Sequence, residues 1–374
     1  MTSTMATTHT REQRAQQTIR KIEKLAAETL AQIQASDNPT LQIPIRALSN
    51  VSWNEDRRLI ELGDRRQSRE FFNLNMAKKF MQTFLVAAAC KELLKSGKTT
   101  SIRDLFYMTK HTIKGSRENT FDDQTESDPI IEDLEVTVDA LREELHLFAA
   151  KRGSMVGPMT IVDAGDTINL ARMGSGGWSI PSITENHVIQ FKQCEAEYIL
   201  LVEKEAVWHR LNEDKFWKKH KCILVTGNGQ ATRGVRRLLQ RMHNELKIPL
   251  YVLVDNDPWG LYIFSVVKQG SISLAYESMR MAVPTARFLG LRTRDFKTFG
   301  LSDDVRIALE KEDENRARQM LSYPWFAAKH WQTEIKDMLK AGFKMEIEAL
   351  SNKDISFVTD VYIPQKITKR DWLV

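Results

Sequence analysis

The sequence reads as an α/β multidomain protein: a helical arm, a module of winged helix-turn-helix type, and a Rossmann-like domain on a parallel sheet. Three observations predict this. At 374 residues, the chain is more than twice the ~150 of an average domain. Beyond about Glu195, the runs YILLV (198–202), CILVTG (222–227) and IPLYVLV (248–254) are almost continuously apolar, as strands buried on both faces must be. The last two flank the helical stretch ATRGVRRLLQRMHNEL, which is β-α-β grammar. Upstream, three helices followed by the extended stretch MVGPMTIVDAGDTINL predict the winged module.

In chain order, Ile19, Ile22, Leu25, Ala26, Leu30 and Ile33 recur near helical spacing, so one helix is expected from about Thr10 to Ala35. The loop Ser36 to Pro39 stops it. LQIPIRALSNVSW and Arg58 to Leu62 are extended in character, with Gly63 and Asp64 as punctuation, and predict a hairpin or strap. Residues 1–69 therefore form an arm without a catalytic constellation. A second helix runs from Glu70 to Leu94, apolar on most faces towards its end, and Ser96 and Gly97 break it. Ser101 with Asp104 three positions later is a capping-box pattern that starts a third helix at about Ile102. A further helix from about Asp139 to Ala150 completes the winged module, residues 70–152. Residues 153–374 carry the parallel sheet, helices at Asp303–Met320 and Trp325–Ala341, and a final extended piece.

Composition excludes several classes. With 42% hydrophobic and 28% charged residues the chain has material for real cores. No run approaches the ~18 apolar residues of a membrane span, and MTSTMATTHTREQR lacks the apolar middle of a signal peptide. Cys90, Cys194 and Cys222 are too scattered for a disulfide framework or a four-cysteine zinc site, so an intracellular, reducing location is expected. The net charge of +5 hides a segregation: Arg117 to His146 holds eleven acidic residues against two basic ones, leaving the rest strongly basic. A basic body suits a polyanionic partner. The acidic segment is expected to be a flexible linker rather than a mimic of that polyanion.

The helix after Ser101 has two faces. Ile102, Leu105, Phe106 and Thr109 cluster on one, and Arg103, Tyr107 and Lys110 on another. The apolar face docks inward and the other presents a phenol between two cations. A phenol with a pKa of about 10 is a poor nucleophile at neutral pH. Neighbouring positive charge lowers that pKa and can hold a phosphate oxygen. By itself the pattern also fits an exposed tyrosine among surface cations.

Glu203 directly follows YILLV, and Asp255 and Asp257 directly follow YVLV. Ligands of open parallel sheets bind beyond the carboxyl ends of the strands, so these acids are expected to converge at one rim. Hard carboxylate oxygens on rigid strand ends suit Mg²⁺, although strands also end in merely solvated acids. GNGQATRG (227–234) would let a backbone approach a phosphate, with Arg233 near the helix start. It lacks both the P-loop and the full dinucleotide patterns and is read as a structural turn. The eight histidines show no metal-ligand spacing. Trp208, Phe216 and Trp217, among the cations of KFWKKHK, are expected on a partly buried helix face with snorkelling lysines.

From roughly Arg69 to the C-terminus, RDLFY ending in Tyr107, ILLVEKEAVW carrying Glu203, and VLVDNDPWG carrying Asp255 and Asp257 together resemble the A subunits of DNA topoisomerase VI. These type IIB enzymes are related to the transesterase that makes meiotic double-strand breaks. The resemblance implies a CAP-like winged helix supplying Tyr107 and a Toprim domain supplying Glu203, Asp255 and Asp257 for Mg²⁺. Phe106 departs from relatives that often carry a second tyrosine, leaving Tyr107 the one nucleophile candidate. Also implied are an A-subunit homodimer in which each tyrosine works with the partner protomer's metal site, and a separate B subunit that binds ATP, giving an A2B2 heterotetramer on double-stranded DNA. Arg103 is the candidate for phosphate stabilisation, and Lys110, Lys204 and Arg233 for DNA contact. A cytoplasmic, nucleoid-associated archaeal enzyme is expected. A break-making transesterase without strand passage and a non-enzymatic winged-helix DNA-binding protein are the alternatives.

Overall fold

The structure, a computed structural model, describes residues 11–374; Thr10, His9 and most of the N-terminal stretch tested for a signal peptide lie outside the described residues. The chain divides into two compact units. The first comprises residues up to Asn50 together with Leu62–Ala150, the second Val51–Glu61 together with Lys151–Val374.

In the first unit, α1 (Arg11–Gln34) buries Ile19 and Ile22 in a core shared with the other helices. β1 (Thr40–Pro44) pairs antiparallel with β4 (Arg66–Glu70). Between them, β2 (Val51–Asn54) and β3 (Leu59–Leu62) form the expected hairpin. By its contacts this hairpin counts with the second unit, where Trp53 lies beside Trp325 at 6.4 Å between ring centroids. α2 (Leu74–Ser96) starts where the Asn73 side chain accepts from the Asn75 N–H, and stops at Gly97, whose φ of 66° is left-handed. Glu70, expected to open this helix, is instead the last residue of strand β4, and the helix begins at Leu74. β5 (Thr100–Ser101) leads into α3 (Ile102–Thr109), α4 (Gln124–Thr137) follows, and β6 (Leu147–Phe148) lies parallel to β5.

α4 corrects two expectations. The acidic segment is no flexible linker: it folds as a helix whose Ile130, Ile131 and Leu134 are core residues. Three of its acids, Glu132, Asp133 and Glu135, are matched by arginines. Asp133 lies 2.9 Å from Arg46 and 2.6 Å from Arg69, Arg46 also pairs with Glu132, and Arg142 lies 2.7 Å from the fully buried Glu135. No helix spans 139–150: Asp139 has φ 45°, and only a 3-10 turn, Arg142–Leu145, precedes β6.

The extended stretch 155–170, read in the sequence as a sign of the winged module although it falls within residues 153–374, belongs to the second unit. There β7 (Ser154–Val156) joins a six-stranded sheet, while β8 (Met159–Asp163) and β9 (Asp166–Asn169) form a three-stranded sheet with β11 (Ile189–Cys194). The larger sheet also contains β10 (Trp178–Ser179), β12 (Tyr198–Val202), β13 (Cys222–Thr226), β14 (Leu250–Leu253) and β15 (Arg287–Phe288), in the order β10-β7-β13-β12-β14-β15. β13, β12, β14 and β15 are parallel, and β7 and β10 add antiparallel strands at one edge.

Every residue of β12, β13 and β14 is buried, which accounts for their apolar runs. α5 (Glu205–Glu213) and α6 (Phe216–Lys219) connect β12 to β13, and α7 (Arg233–Leu246) connects β13 to β14. Phe216 and Trp217 are buried, as their setting among lysines suggested. α8 (Pro258–Gln269) follows β14. The chain thus steps from β12 to β13 on one side and returns past β12 to β14 on the other. That reversal is the place where open α/β sheets bind ligands.

The C-terminal region departs from its expected elements. Residues 303–308 form a short 3-10 turn and a two-residue strand, and the helices run Lys311–Leu321 and Lys329–Ala341. The tail is helical over Val358–Thr368 rather than extended, ending in a bridge from Leu373 to Phe288. A buried ion pair pins it, with the Lys366 ammonium 2.9 Å from Asp295, which also accepts from the Tyr362 hydroxyl.

Candidate functional site

The register of β12 and β14 builds the acidic rim. Val202 pairs with Leu253, so the next residues of both strands emerge side by side. The Glu203 N–H donates to the Leu253 carbonyl at 3.0 Å, and the Asp255 N–H donates weakly to the Glu203 carboxylate at 3.4 Å. Two acids separated by 52 residues in sequence are thereby neighbours. Asp257 is the N-cap of α8, accepting from the Gly260 N–H, with Pro258 in the helix's first turn. Gly260 is required: a β-carbon there would sit 2.6 Å from the Asp255 carbonyl oxygen.

All three carboxyls titrate above their ordinary range. Burial, then the neighbouring charges of Asp255 and Asp257, pushes Glu203 up to about 7. Burial lifts Asp255 to about 6 against the opposing Ile347 N–H and Lys204. Burial also raises Asp257, opposed by its bond to Gly260. Burial thus disfavours negative charge on the rim, and hard oxygen donors in that condition suit a divalent cation. As they stand, the described residues contain no group of three or more His, Cys, Asp or Glu side chains gathered closely enough to hold a metal ion.

A segment that sequence reasoning missed lies across this rim. Met345 exchanges backbone hydrogen bonds with Asn256, and the Ile347 N–H donates to Asp255 Oδ1 at 2.8 Å. On either side of Ile347, Glu346 and Glu348 meet the Lys204 ammonium at 3.2 and 2.9 Å, and the same ammonium lies 3.1 Å from Asp255 Oδ2. Lys344 pairs with Asp313 at 2.7 Å. The alternation of Lys344, Glu346 and Glu348 was the one available signal, but nothing local ties it to residues so far upstream.

The other candidate centre is in the first unit. α3 begins at Ile102, and the Ser101 hydroxyl oxygen accepts from the Asp104 N–H at 3.0 Å. Leu105, Phe106 and Thr109 are buried, while Arg103, Tyr107 and Lys110 are exposed on the opposite face, Tyr107 to 59%. Phe106 packs edge-on against Phe121, so position 106 points into the core. The Lys110 ammonium donates to the Asp122 carbonyl at 2.9 Å and stands over the Phe106 ring. Two residues expected at DNA are turned inward: Arg233 pairs with the fully buried Glu277 at 3.0 Å, and Lys204 with the acids above. In the GNGQATRG turn, the Gly229 N–H donates to the Glu203 carbonyl oxygen at 2.8 Å, a structural tie to the rim.

Comparison with known proteins follows the same division. Residues 198–367 match the family model for the Toprim domain of topoisomerase 6 A subunits and Spo11. Residues 78–147 match the model described as Type IIB DNA topoisomerase, and 151–195 match the all-beta domain of the DNA topoisomerase VI alpha chain. The A subunit of type 2 DNA topoisomerase 6 from Pyrococcus abyssi is 44% identical over 361 residues, covering 94% of each chain. That of Hyperthermus butylicus is 43% identical, covering 92% of this chain and 93% of the relative. The A subunit of DNA topoisomerase 6 from Arabidopsis thaliana is 33% identical, covering 94% and 81% respectively. With a tyrosine-bearing helix, an acidic rim on a Toprim sheet and relatives matched nearly end to end, the chain belongs to the family of topoisomerase VI A subunits.

Proposed function

We propose that this chain is the DNA-cleaving and religating component of an ATP-dependent type IIB topoisomerase, with Tyr107 as nucleophile. The observation that carries the reading is Tyr107 standing exposed between Arg103 and Lys110 on a helix whose other face is locked in the core. The tyrosine hydroxyl gives up its proton, and its oxygen attacks the phosphorus of a DNA phosphodiester. The bond from phosphorus to the 3′-oxygen breaks, leaving a 5′-phosphotyrosyl ester and, after proton uptake, a 3′-hydroxyl. One ester replaces another, so resealing needs no fuel. Arg103, one helical turn before Tyr107, balances charge on the reacting phosphate. Lys110 contacts the backbone; Lys204 and Arg233 reach DNA only by leaving their acids.

Glu203, Asp255 and Asp257 would hold Mg²⁺, which when bound supplies positive charge against the developing oxyanion. Their burial and mutual repulsion, and the Lys204 ammonium already lying against Asp255, support that assignment. We assign the nucleophile to a winged-helix, CAP-like domain over residues 70–152, the acids to the Toprim domain with its C-terminal extension over 153–374, and an arm to residues 1–69. Two copies act together, each tyrosine with the partner protomer's acids, so that both strands are cut. A separate, ATP-hydrolysing B subunit completes an A2B2 assembly in an archaeal cytoplasm, on the nucleoid. Among the described residues no helix is long and apolar enough to cross a membrane.

The test is a denaturing-gel cleavage assay on supercoiled DNA with Mg²⁺, with and without ATP plus the B subunit. Protein covalently attached to 5′ ends, absent in Tyr107→Phe although that variant still binds duplex DNA, is the expected result. Relaxation in the same reaction distinguishes strand passage from breakage alone. Cleavage by Tyr107→Phe would overturn the assignment.

A further inference from the structure

We propose that Lys204 is the resident counter-cation of the acidic rim, displaced from Asp255 when a divalent cation binds and thereby freed to take a DNA phosphate. This rests on the reading that Glu203, Asp255 and Asp257 hold Mg²⁺. Asp255 is buried and both its oxygens are engaged, Oδ1 by the Ile347 N–H at 2.8 Å and Oδ2 by the Lys204 ammonium at 3.1 Å. The two partners differ in freedom. The Ile347 N–H belongs to backbone fixed by the Met345–Asn256 bridge, whereas the ammonium ends a flexible four-carbon stem.

A divalent cation held by Asp255 would repel the ammonium that lies 3.1 Å from its Oδ2, so of the two partners the lysine would be the one to leave. Its exit is prepared. Glu346 and Glu348, each within 3.2 Å of the ammonium, keep side chains 55% and 41% exposed and hold it at the solvent edge of the rim. The backbone of Lys204 need not move, because it is the N-cap of α5 and makes no side-chain cap bond. Cation loading therefore moves the ammonium from an internal ion pair to the solvent edge, where a DNA phosphate competes for it only with the partly exposed Glu346 and Glu348. One more phosphate contact forms only when the rim is charged.

Mn²⁺ binding to the full-length chain without DNA, read by electron paramagnetic resonance, tests the exchange. Lys204→Met should bind Mn²⁺ about five- to tenfold more tightly than the wild type, because no ammonium has to be displaced. Lys204→Arg, which keeps the charge, should stay near the wild type, and Asp255→Asn should lose binding. Circular dichroism checks folding, and Lys204→Gln serves if the methionine variant does not fold. A folded, neutral variant that binds Mn²⁺ no better than the wild type, while Asp255→Asn abolishes binding, overturns the exchange and leaves the metal reading intact. Undiminished binding by Asp255→Asn overturns both.

The hand-over has its own readout. In duplex binding without cleavage, Ca²⁺ in place of EDTA should steepen the wild-type salt dependence by about 0.9 in log–log slope beyond any change in Lys204→Met, one phosphate contact's worth. Equal changes in the two proteins overturn that step.

Discussion

Replacing Asp133 by asparagine tests whether the acidic segment is structural. Its carboxylate lies 2.9 Å from Arg46 and 2.6 Å from Arg69, and Arg69 also donates to the Thr83 hydroxyl at 2.9 Å. The side chains of all three charged residues are 14% exposed or less. Asparagine preserves shape but leaves a guanidinium, Arg69, without its buried counter-ion, a change that typically costs about 3–5 kcal/mol. At roughly 3–4 °C per kcal/mol for a unit of this size, the melting point of the first unit should fall by about 10–20 °C. Glu118→Gln removes a charge from the same segment at an exposed position and should move stability by no more than ~0.5 kcal/mol. Scanning calorimetry with a urea titration measures both. If Asp133→Asn melts within a degree or two of the wild type, the helix is not held by these pairs and the linker account returns.

Three further outcomes follow from the geometry. Phe106→Tyr in a Tyr107→Phe background should not restore cleavage, since position 106 faces Phe121, and burying an unpaired hydroxyl there should cost about 1–3 kcal/mol; covalent adduct from that double variant would refute the orientation of α3. Glu203 at about 7 and Asp255 at about 6 lie above their unfolded values, so they favour folding at low pH and lose that contribution as pH rises through the folded values. In EDTA the second unit should therefore weaken between about pH 4 and 7, and Mg²⁺ should raise its melting point more at about pH 8 than at about pH 5; equal Mg²⁺ shifts at the two pH values would contradict this. Gly260→Ala places a β-carbon 2.6 Å from the Asp255 carbonyl and 3.1 Å from the Asp257 carboxylate. It should cost about 1–3 kcal/mol and blunt the Mg²⁺ shift together, and an unchanged melting curve would show that the rim has slack.

What the sequence revealed and what it hid have physical causes. β12, β13 and β14 were legible because burial on both faces leaves no polar position to interrupt the run. The α3 face was legible because its two sets of residues separate cleanly at helical spacing. α4 was not, because the acids Glu132, Asp133 and Glu135 sit beside Ile130, Ile131 and Leu134 and mask their period. The arginines that make those acids tolerable come from 87 and 64 positions away in the cases of Arg46 and Arg69. Charge counting saw a solvated run where the fold has a neutralised helix. The rim was half visible: strand ends announced Glu203 and Asp255, but the Lys204–Glu348 pair spans 144 positions and the Ile347–Asp255 bond 92, so no local pattern could report them.

The motif DNDPWG shows why the candidate site and the fold cannot be read separately. Asp257 begins α8 by accepting from the Gly260 N–H, Pro258 occupies the first turn where its missing N–H is harmless, and Gly260 leaves room for the Asp255 carbonyl. Each of these residues would be placed as it is by helix initiation alone. Asn256 then ties the turn to Met345 and brings the Ile347 N–H onto Asp255. The acids are consequently fixed by backbone bonds that bring no charge, while their mutual repulsion is relieved only by the lysines beside them, Lys204 at Asp255 and Lys344 near Asp257. A neutral substitution that keeps the cap, Asp257→Asn, removes charge without removing the helix start, whereas Asp257→Ala removes both. Of the two, only the asparagine variant separates what Asp257 contributes to cation binding from what it contributes to folding.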